Sequence, residues 1–483
     1  MQEQYLVKFG GGGESNANPL SIAITILAGI LILVLPRKKA LMVFMVTAFI
    51  IPYGQVIVVV GLHFQMVRLL IIFGWMRIVK DFGKYKPLFG DTHPIEKAFV
   101  GLTIAGAIGF SLCYREWPAV LNQLGSIYTS FGIYFLLRFL VREQEDIDQL
   151  VKALITIAVI AALPMVLEQV SSRNIFGIIG GVPLETQVRD GRIRSQAFFA
   201  HSIIAGCFGA TLVPLCFYLW TQAKQRSWAV VGTIAALVMT ITSASSTPLL
   251  ALLGGMMAIC FWPIRENMRW VRRSVVASLI FLHLIMKGPV WALIDHIDIV
   301  GGNSANHRYQ LVDQFIRHFW DWWLVGTAHN GDWGYDMWDT ANFYVGVGES
   351  GGLLAFIFLL AIISRGFRAI GLARSSFPSD KSQQWSYWML GAALFSQCVA
   401  FFGISYFDQT VADWYALLVI IIVATQRFIP VKAKIFESAV ATRDLVELPG
   451  TANGIPIGSG PGISHSRKTF ASVRGNAGAN DDQ

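Results

Sequence analysis

Charge is scarce in this chain. Only 14% of its 483 residues are Asp, Glu, Lys or Arg, where soluble domains carry about 25%, so an ordinary water-soluble domain is excluded, as are disordered, collagen-like and coiled-coil chains. Cysteine is scarce too: Cys113, Cys207, Cys216, Cys260 and Cys398 sit inside or at the ends of apolar segments with no C-x-x-C spacing, which predicts neither disulfide nor metal cluster. A cleavable signal is not read at the start, because residues 1–19 are polar and Gly/Asn-rich and the first apolar run ends at Pro36 in Arg37, Lys38 and Lys39. No internal repeat is visible, so an inverted-repeat transporter draws no support from the sequence.

Hydrophobic side chains make up 54% of the chain, and they gather into runs of the length that crosses a bilayer as a helix, about 17 to 25 residues. Runs near 20–36, 40–62, 66–79, 95–114, 119–138, 150–168, 200–221, 228–243, 246–263, 274–294, 342–363, 385–405 and 411–427 predict an all-α polytopic bundle of about thirteen transmembrane spans. The net charge of +8 does not point to nucleic acid, since the basic residues form short clusters between apolar runs. Arg37 to Lys39, Arg77 to Lys97 (with Lys86), Arg138 to Lys152, Lys224/Arg226, Arg265 to Arg273, Arg365 to Lys381 and Arg427 to Lys434 fall in every second loop. The positive-inside rule then puts the N-terminus outside and the C-terminus inside. Residues 1–19 are a polar outer segment, 20–435 the membrane domain, and 436–483, rich in Gly, Ser, Ala and Asn, a disordered cytoplasmic tail. The long segments 169–199 and 295–341 are expected on the outer face.

Those two segments break the charge rule. The first reads Arg-Asp-Gly-Arg-Ile-Arg at 189–194, placing Arg192 and Arg194 on the wrong side; the second sets Arg308 and Arg317 beside His307 and His318 at helical spacing, which predicts an amphipathic helix. Guanidinium forks match phosphate oxygens bidentately and stay charged at biological pH, so a lipid-linked diphosphate would suit these loops. The plainer alternative is pairing with lipid phosphates or with Asp190, Asp295 or Asp298. Arg68 either snorkels to head groups or adds to the same site. Residues 319–344 are rich in aromatics, and Trp333, Trp338, Asp332, Asp336, Asp339 and Asn342 fit either an interfacial belt or a glycan groove. Glu349 lies about two turns into a span, where a carboxylate marks a site or a paired structural acid.

The order Arg194-Ser-Gln-Ala-Phe-Phe-Ala-His201, Ser243-Ala-Ser-Ser246, Arg308, Trp323-Leu-Val-Gly326 and Asn342 through Glu349-Ser-Gly-Gly352 resembles the O-antigen ligase and O-antigen polymerase superfamily, over roughly residues 190–365. The resemblance implies a multi-pass glycosyltransferase of the bacterial inner membrane that joins a polyprenyl-diphosphate-linked glycan to an acceptor glycan or glycolipid, in exopolysaccharide or O-antigen assembly, without cofactor or metal. It implies that Arg194 and Arg308 hold the diphosphate and that Asn342 matches the family's asparagine; the residues themselves add Arg192 and Arg68 as diphosphate candidates and Asn342, Trp333, Trp338 and Asp336 as glycan-binding candidates. The family's histidine before the Asn is replaced by Ala341. Asp339 is then the favoured base, Glu349 the alternative and His329 a further candidate, since a buried carboxylate shifts toward neutrality. A transporter or flippase and a non-catalytic member of a polysaccharide-assembly complex are the rival expectations.

Overall fold

The computed structural model describes residues 15–59, 62–84, 92–296 and 304–429. Lys86, Asp298, most of the polar start and the tail beyond 436 lie outside the described residues. Among the described residues the chain is a helical assembly with two short hairpins. Helix α1 (Pro19–Val34) starts where the Asn18 side chain accepts from the Leu20 N–H and Pro19 takes the first position. Helix α2 (Arg37–Ile50) follows Pro36. The span expected over 40–62 is not one helix: Pro52 and Gly54 stop α2, and the β-branched run after them forms the antiparallel hairpin β1 (Val56–Val59) and β2 (Leu62–Gln65). Then come α3 (Met66–Lys80), α4 (Pro94–Tyr114), α5 (Trp117–Leu140) and α6 (Gln144–Ser171).

A second hairpin, β3 (Gln187–Arg189) and β4 (Arg192–Arg194), turns at Asp190 and Gly191, both at positive φ, the two-residue turn that matches strand twist. The chain continues through α7 (Ser202–Trp220), α8 (Arg226–Thr242), α9 (Ser246–Cys260), α10 (Met268–Ile285), α11 (Ser304–Arg317), the single turn α12 (Phe319–Trp322), α13 (Phe343–Ser375), α14 (Lys381–Ala400) and α15 (Gln409–Thr425). The expected split at 243–246 is present, and the amphipathic helix expected around Arg308 is α11.

Among the described residues, five helical stretches are long and apolar enough to cross a membrane: α4, α6, α7, α13 and Gln409–Phe428. A sixth arises if α9 and Trp262–Ile285, bent 75° from it, count as one. The chain is therefore a membrane protein by its apolar helices, with fewer full-length spans than thirteen among the described residues. The reason is length and polarity. Helices α1, α2, α3, α8 and α9 have 16, 14, 15, 17 and 15 residues, roughly 21–26 Å of rise against a core of about 30 Å. Helix α5 has the length but carries Asn122, Gln123, Ser126, Thr129 and Arg138.

Helix α7 is apolar on every side and almost wholly buried, packed against α8, α9 and α14, as a central helix should be. Leu27, Ile108, Leu163 and Val170, on α1, α4 and α6, are exposed, which a bilayer tolerates and water does not. Helices α4 and α13 approach closely where a side chain at Gly109 would strike the backbone of Gly351 and one at Gly351 would strike Gly106, the close packing small residues permit.

Helix α13 is broken one residue later. Gly352 sits at φ 71°, ψ −174°. The Leu353 N–H, which a continuous helix would direct to the Glu349 carbonyl, donates instead to Trp323 O (2.8 Å), and Glu349 O accepts from the Thr327 N–H (2.8 Å). The segment after α12 thus supplies both bonds that the break removes, meeting the rule that irregular backbone between apolar helices must be satisfied by protein.

Candidate functional site

Arg194 ends β4 and is 6% exposed. The two residues after Ser195 are held from the end of α6. Glu168, wholly buried, accepts the Gln196 N–H on Oε2 (2.9 Å) and the Ala197 N–H on Oε1 (2.7 Å). The Gln169 amide reaches Ile193 O, Ser195 Oγ and Thr242 O at 2.8–3.0 Å, tying β4 to the end of α8. Arg194 therefore projects from a fixed frame toward the α8–α9 junction, where its Nη2 lies 3.5 Å from Ser245 Oγ. Its buried Nε has no hydrogen-bond partner, and among the described residues no carboxylate pairs with it. Burial, and then the charge of Arg189, lower its proton affinity, yet guanidinium starts so high that it stays charged. A buried cation without counter-charge is costly, so this position has capacity for an anion.

Arg308 comes to the same junction from α11. It is 8% exposed, and its Nη2 donates to Thr247 Oγ1 at 2.8 Å; Thr247 Oγ1 in turn donates to Gly403 O (3.1 Å). Two arginines separated by more than a hundred residues thus anchor on hydroxyls two residues apart. Ser245 is the N-cap of the fifteen-residue α9, and no side chain caps that helix. Its first N–H groups and positive dipole end lie with the two guanidiniums, a combination that binds phosphate-type anions.

The other expected residues are distributed differently. Arg192 is exposed on the hairpin. Arg68 belongs to the contact of α3 with α5, its Nε on Thr129 Oγ1 (3.0 Å) and Nη1 on His63 O. Arg317 pairs with Asp313 at 2.6 Å, an aspartate outside the expected set, and Arg189 lies 3.9 Å from Asp190. Trp333 is buried with Leu311, Phe315, Trp322, Met337 and Val345, one face stacked on His318, so it braces α11 rather than lining a groove. Trp338 is 73% exposed. Asp336 is half-buried at φ 60°, its carbonyl 3.0 Å from His307 Nε2. The Asn342 oxygen caps α13, accepting from Tyr344 and Val345 N–H, and its amide donates to Phe402 O.

Of the three candidate bases, Asp339 is exposed and the His329 side chain is 84% exposed. Glu349 alone is buried, at 6% exposure. Its Oε2 accepts from Thr340 Oγ1 (2.6 Å) and Asn330 Nδ2 (3.2 Å), while Oε1 is buried without a hydrogen-bond partner. The turn 401–405 links it to Arg308: Gly403 O takes the hydroxyl of Thr247, which holds Arg308, and Ser405 Oγ donates to the carbonyl of Thr340.

His201, N-cap of α7, lies beside this frame. Burial, and then the Arg194 charge, push it down to about 4 from 6.5, and its Nδ1 accepts from the Ile203 N–H, which requires neutral imidazole. Its folded pKa is below its unfolded one, so the unfolded chain binds the extra proton between those values; the stabilisation is full above pH 6.5 and is lost as pH falls toward 4. The thermal midpoint of the solubilised protein is expected to fall between about pH 7 and pH 5, and His201→Asn, which caps without titrating, to flatten that slope. Equal slopes in both proteins would remove His201 as its source.

Sequence reasoning does not single out Thr247, Glu168 or Gln169, and takes Ser245 only within the motif Ser243–Ser246, with no role of its own. Ser245 and Thr247 carry one signal, small hydroxyl residues between two apolar runs; Glu168 and Gln169 carry another, an acid and an amide closing a long one. No family model matches the chain, and no curated protein matches it.

Proposed function

We propose that the chain is a glycan polymerase or ligase that takes a sugar chain from a polyprenyl diphosphate and joins it to an acceptor hydroxyl, in exopolysaccharide or O-antigen assembly. The observation that carries this reading is that Arg194 and Arg308 each reach a hydroxyl, Ser245 and Thr247, at the uncapped start of α9. An acceptor oxygen attacks the anomeric carbon, the bond from that carbon to the diphosphate oxygen breaks, and the diphosphate leaves with the electron pair. Two guanidiniums and a helix N-terminus stabilise the charge growing on it, which speeds the step insofar as these contacts tighten in the transition state. A single displacement inverts the anomeric centre. With this reading go a bacterial inner membrane, a multi-pass chain with the N-terminus outside, and the site on the outer face; the partners are the lipid-linked glycan, the acceptor glycan or glycolipid, and other polysaccharide-assembly proteins.

Arg308→Ala and Arg308→Lys in the source organism test it. The alanine variant is expected to lose polymer about 100-fold or more while lipid-linked glycan accumulates and the protein is inserted in normal amount. Lysine keeps the charge but not the fork, and is expected to fall between. Unchanged polymer in the alanine variant overturns the assignment. A second reading, a transporter or flippase for the same class of lipid, is favoured by the break at Gly352 and the bent pair after α9. It predicts that the alanine variant traps lipid-linked glycan on the inner leaflet, where transfer predicts accumulation on the outer.

A further inference from the structure

We propose that Glu349 takes the proton from the attacking sugar hydroxyl, through its carboxylate oxygen Oε1; this rests on the glycosyl-transfer reading and assigns the base that Ala341 cannot supply. A buried carboxylate oxygen without a donor costs as much as a broken hydrogen bond, and Oε1 is such an oxygen, in a residue that is 94% buried by the 6% it exposes. The other oxygen is fixed. Thr340 and Asn330 both donate to Oε2, so the carboxylate plane is set and Oε1 is the atom left to take a donor. The main chain is fixed as well, because Glu349 O is bonded to the Thr327 N–H and the helix is interrupted three residues on.

An acceptor hydroxyl supplies the missing donor. As its oxygen bonds to the anomeric carbon, its proton passes to Oε1; the diphosphate departs with the bonding pair toward Arg194 and Arg308, and the proton leaves Glu349 to water when the product does. The charge balance requires no other co-reactant. The two ends of this reaction are coupled through one turn, since residues 401–405 touch both Thr247, which holds Arg308, and Thr340, which holds Glu349. Asp339 lies outside this arrangement.

A purely structural role, in which Glu349 only holds down the segment between α12 and α13, makes the opposite prediction for an isosteric change. The experiment uses the full-length protein with Glu349→Gln and Glu349→Asp. Three readouts are taken: binding of farnesyl diphosphate and inorganic pyrophosphate to the solubilised protein, thermal midpoint, and polymer synthesis against pH in membrane vesicles from the source organism. Expected for E349Q are wild-type binding within about twofold and an unchanged midpoint. Polymer synthesis should fall about 100-fold or more, with loss of the acid limb of the pH–rate profile. E349D keeps a withdrawn carboxylate and is expected to retain a slowed reaction with that limb intact; it carries the test if E349Q fails to insert. Wild-type synthesis by E349Q, or an acid limb unmoved in it, overturns the proposal. Failure of the unmodified protein to bind either probe, or binding unaffected by R308A, overturns instead the diphosphate reading on which it rests, so the two failures are told apart.

Discussion

Replacing Gly352 with alanine is expected to disorder the segment between α12 and α13 and to lower stability by about 4 kcal/mol or more, from backbone strain and lost hydrogen bonds together. At φ 71°, ψ −174° the backbone is in a region essentially reserved for glycine, a strain of about 1–3 kcal/mol for another residue. An added Cβ would also stand 2.6 Å from Leu324 O, a main-chain atom without freedom to swing aside. Alanine favours the helix at this position. If α13 straightens, Leu353 N–H returns to Glu349 O, and both Thr327 N–H and Trp323 O lose the partners they have now, at about 1–3 kcal/mol each. Hydrogen exchange over residues 322–328 and the thermal midpoint check this. Gly371→Ala is the control: it lies in the same helix with nothing within 4 Å of the added carbon, and is expected to be neutral or slightly stabilising. Equal behaviour of the two variants would mean that the break is not held by the loop.

The same break explains why part of the molecule is legible in sequence and part is not. Low charge and long apolar runs report helices in a membrane regardless of detail, and the arginines at 194 and 308 stand out because cations are unexpected on that side of the alternation. Hydropathy counts apolar residues without their period, so Val56–Val59 and the residues around it read as a span although they pair as a hairpin. The preference for Asp339 over Glu349 rests on nearness to Asn342 along the chain. In space the turn at Asp336 leaves Asp339 exposed, while helix geometry carries Glu349 under the loop. Contacts such as Arg308 to Thr247 join residues 61 apart in sequence, and no local pattern encodes them.

Glu168→Ala is expected to release the Arg194 segment, with a loss of about 2–6 kcal/mol from two buried N–H donors at roughly 1–3 kcal/mol each. The carboxylate is wholly buried and receives Gln196 and Ala197 N–H on separate oxygens. Ala197 is in the left-handed region at φ 50°, outside any helix or ladder that would offer its N–H another acceptor. Glutamine keeps one acceptor but turns an NH2 toward the second donor, so Glu168→Gln is expected to lose about half as much. Arg194 is only two residues before Gln196 and has no carboxylate of its own among the described residues, which makes its aim depend on this frame. Farnesyl diphosphate binding should therefore weaken in the order wild type, Glu168→Gln, Glu168→Ala, although both Glu168 oxygens bond main-chain N–H groups rather than a guanidinium. Gln169→Ala removes the parallel tie to Ile193, Ser195 and Thr242, and the double variant should cost less than the sum, because the first release already frees what the second would. Binding that stays at the wild-type level in Glu168→Ala, with the protein still inserted, would show that Arg194 is held by β4 alone.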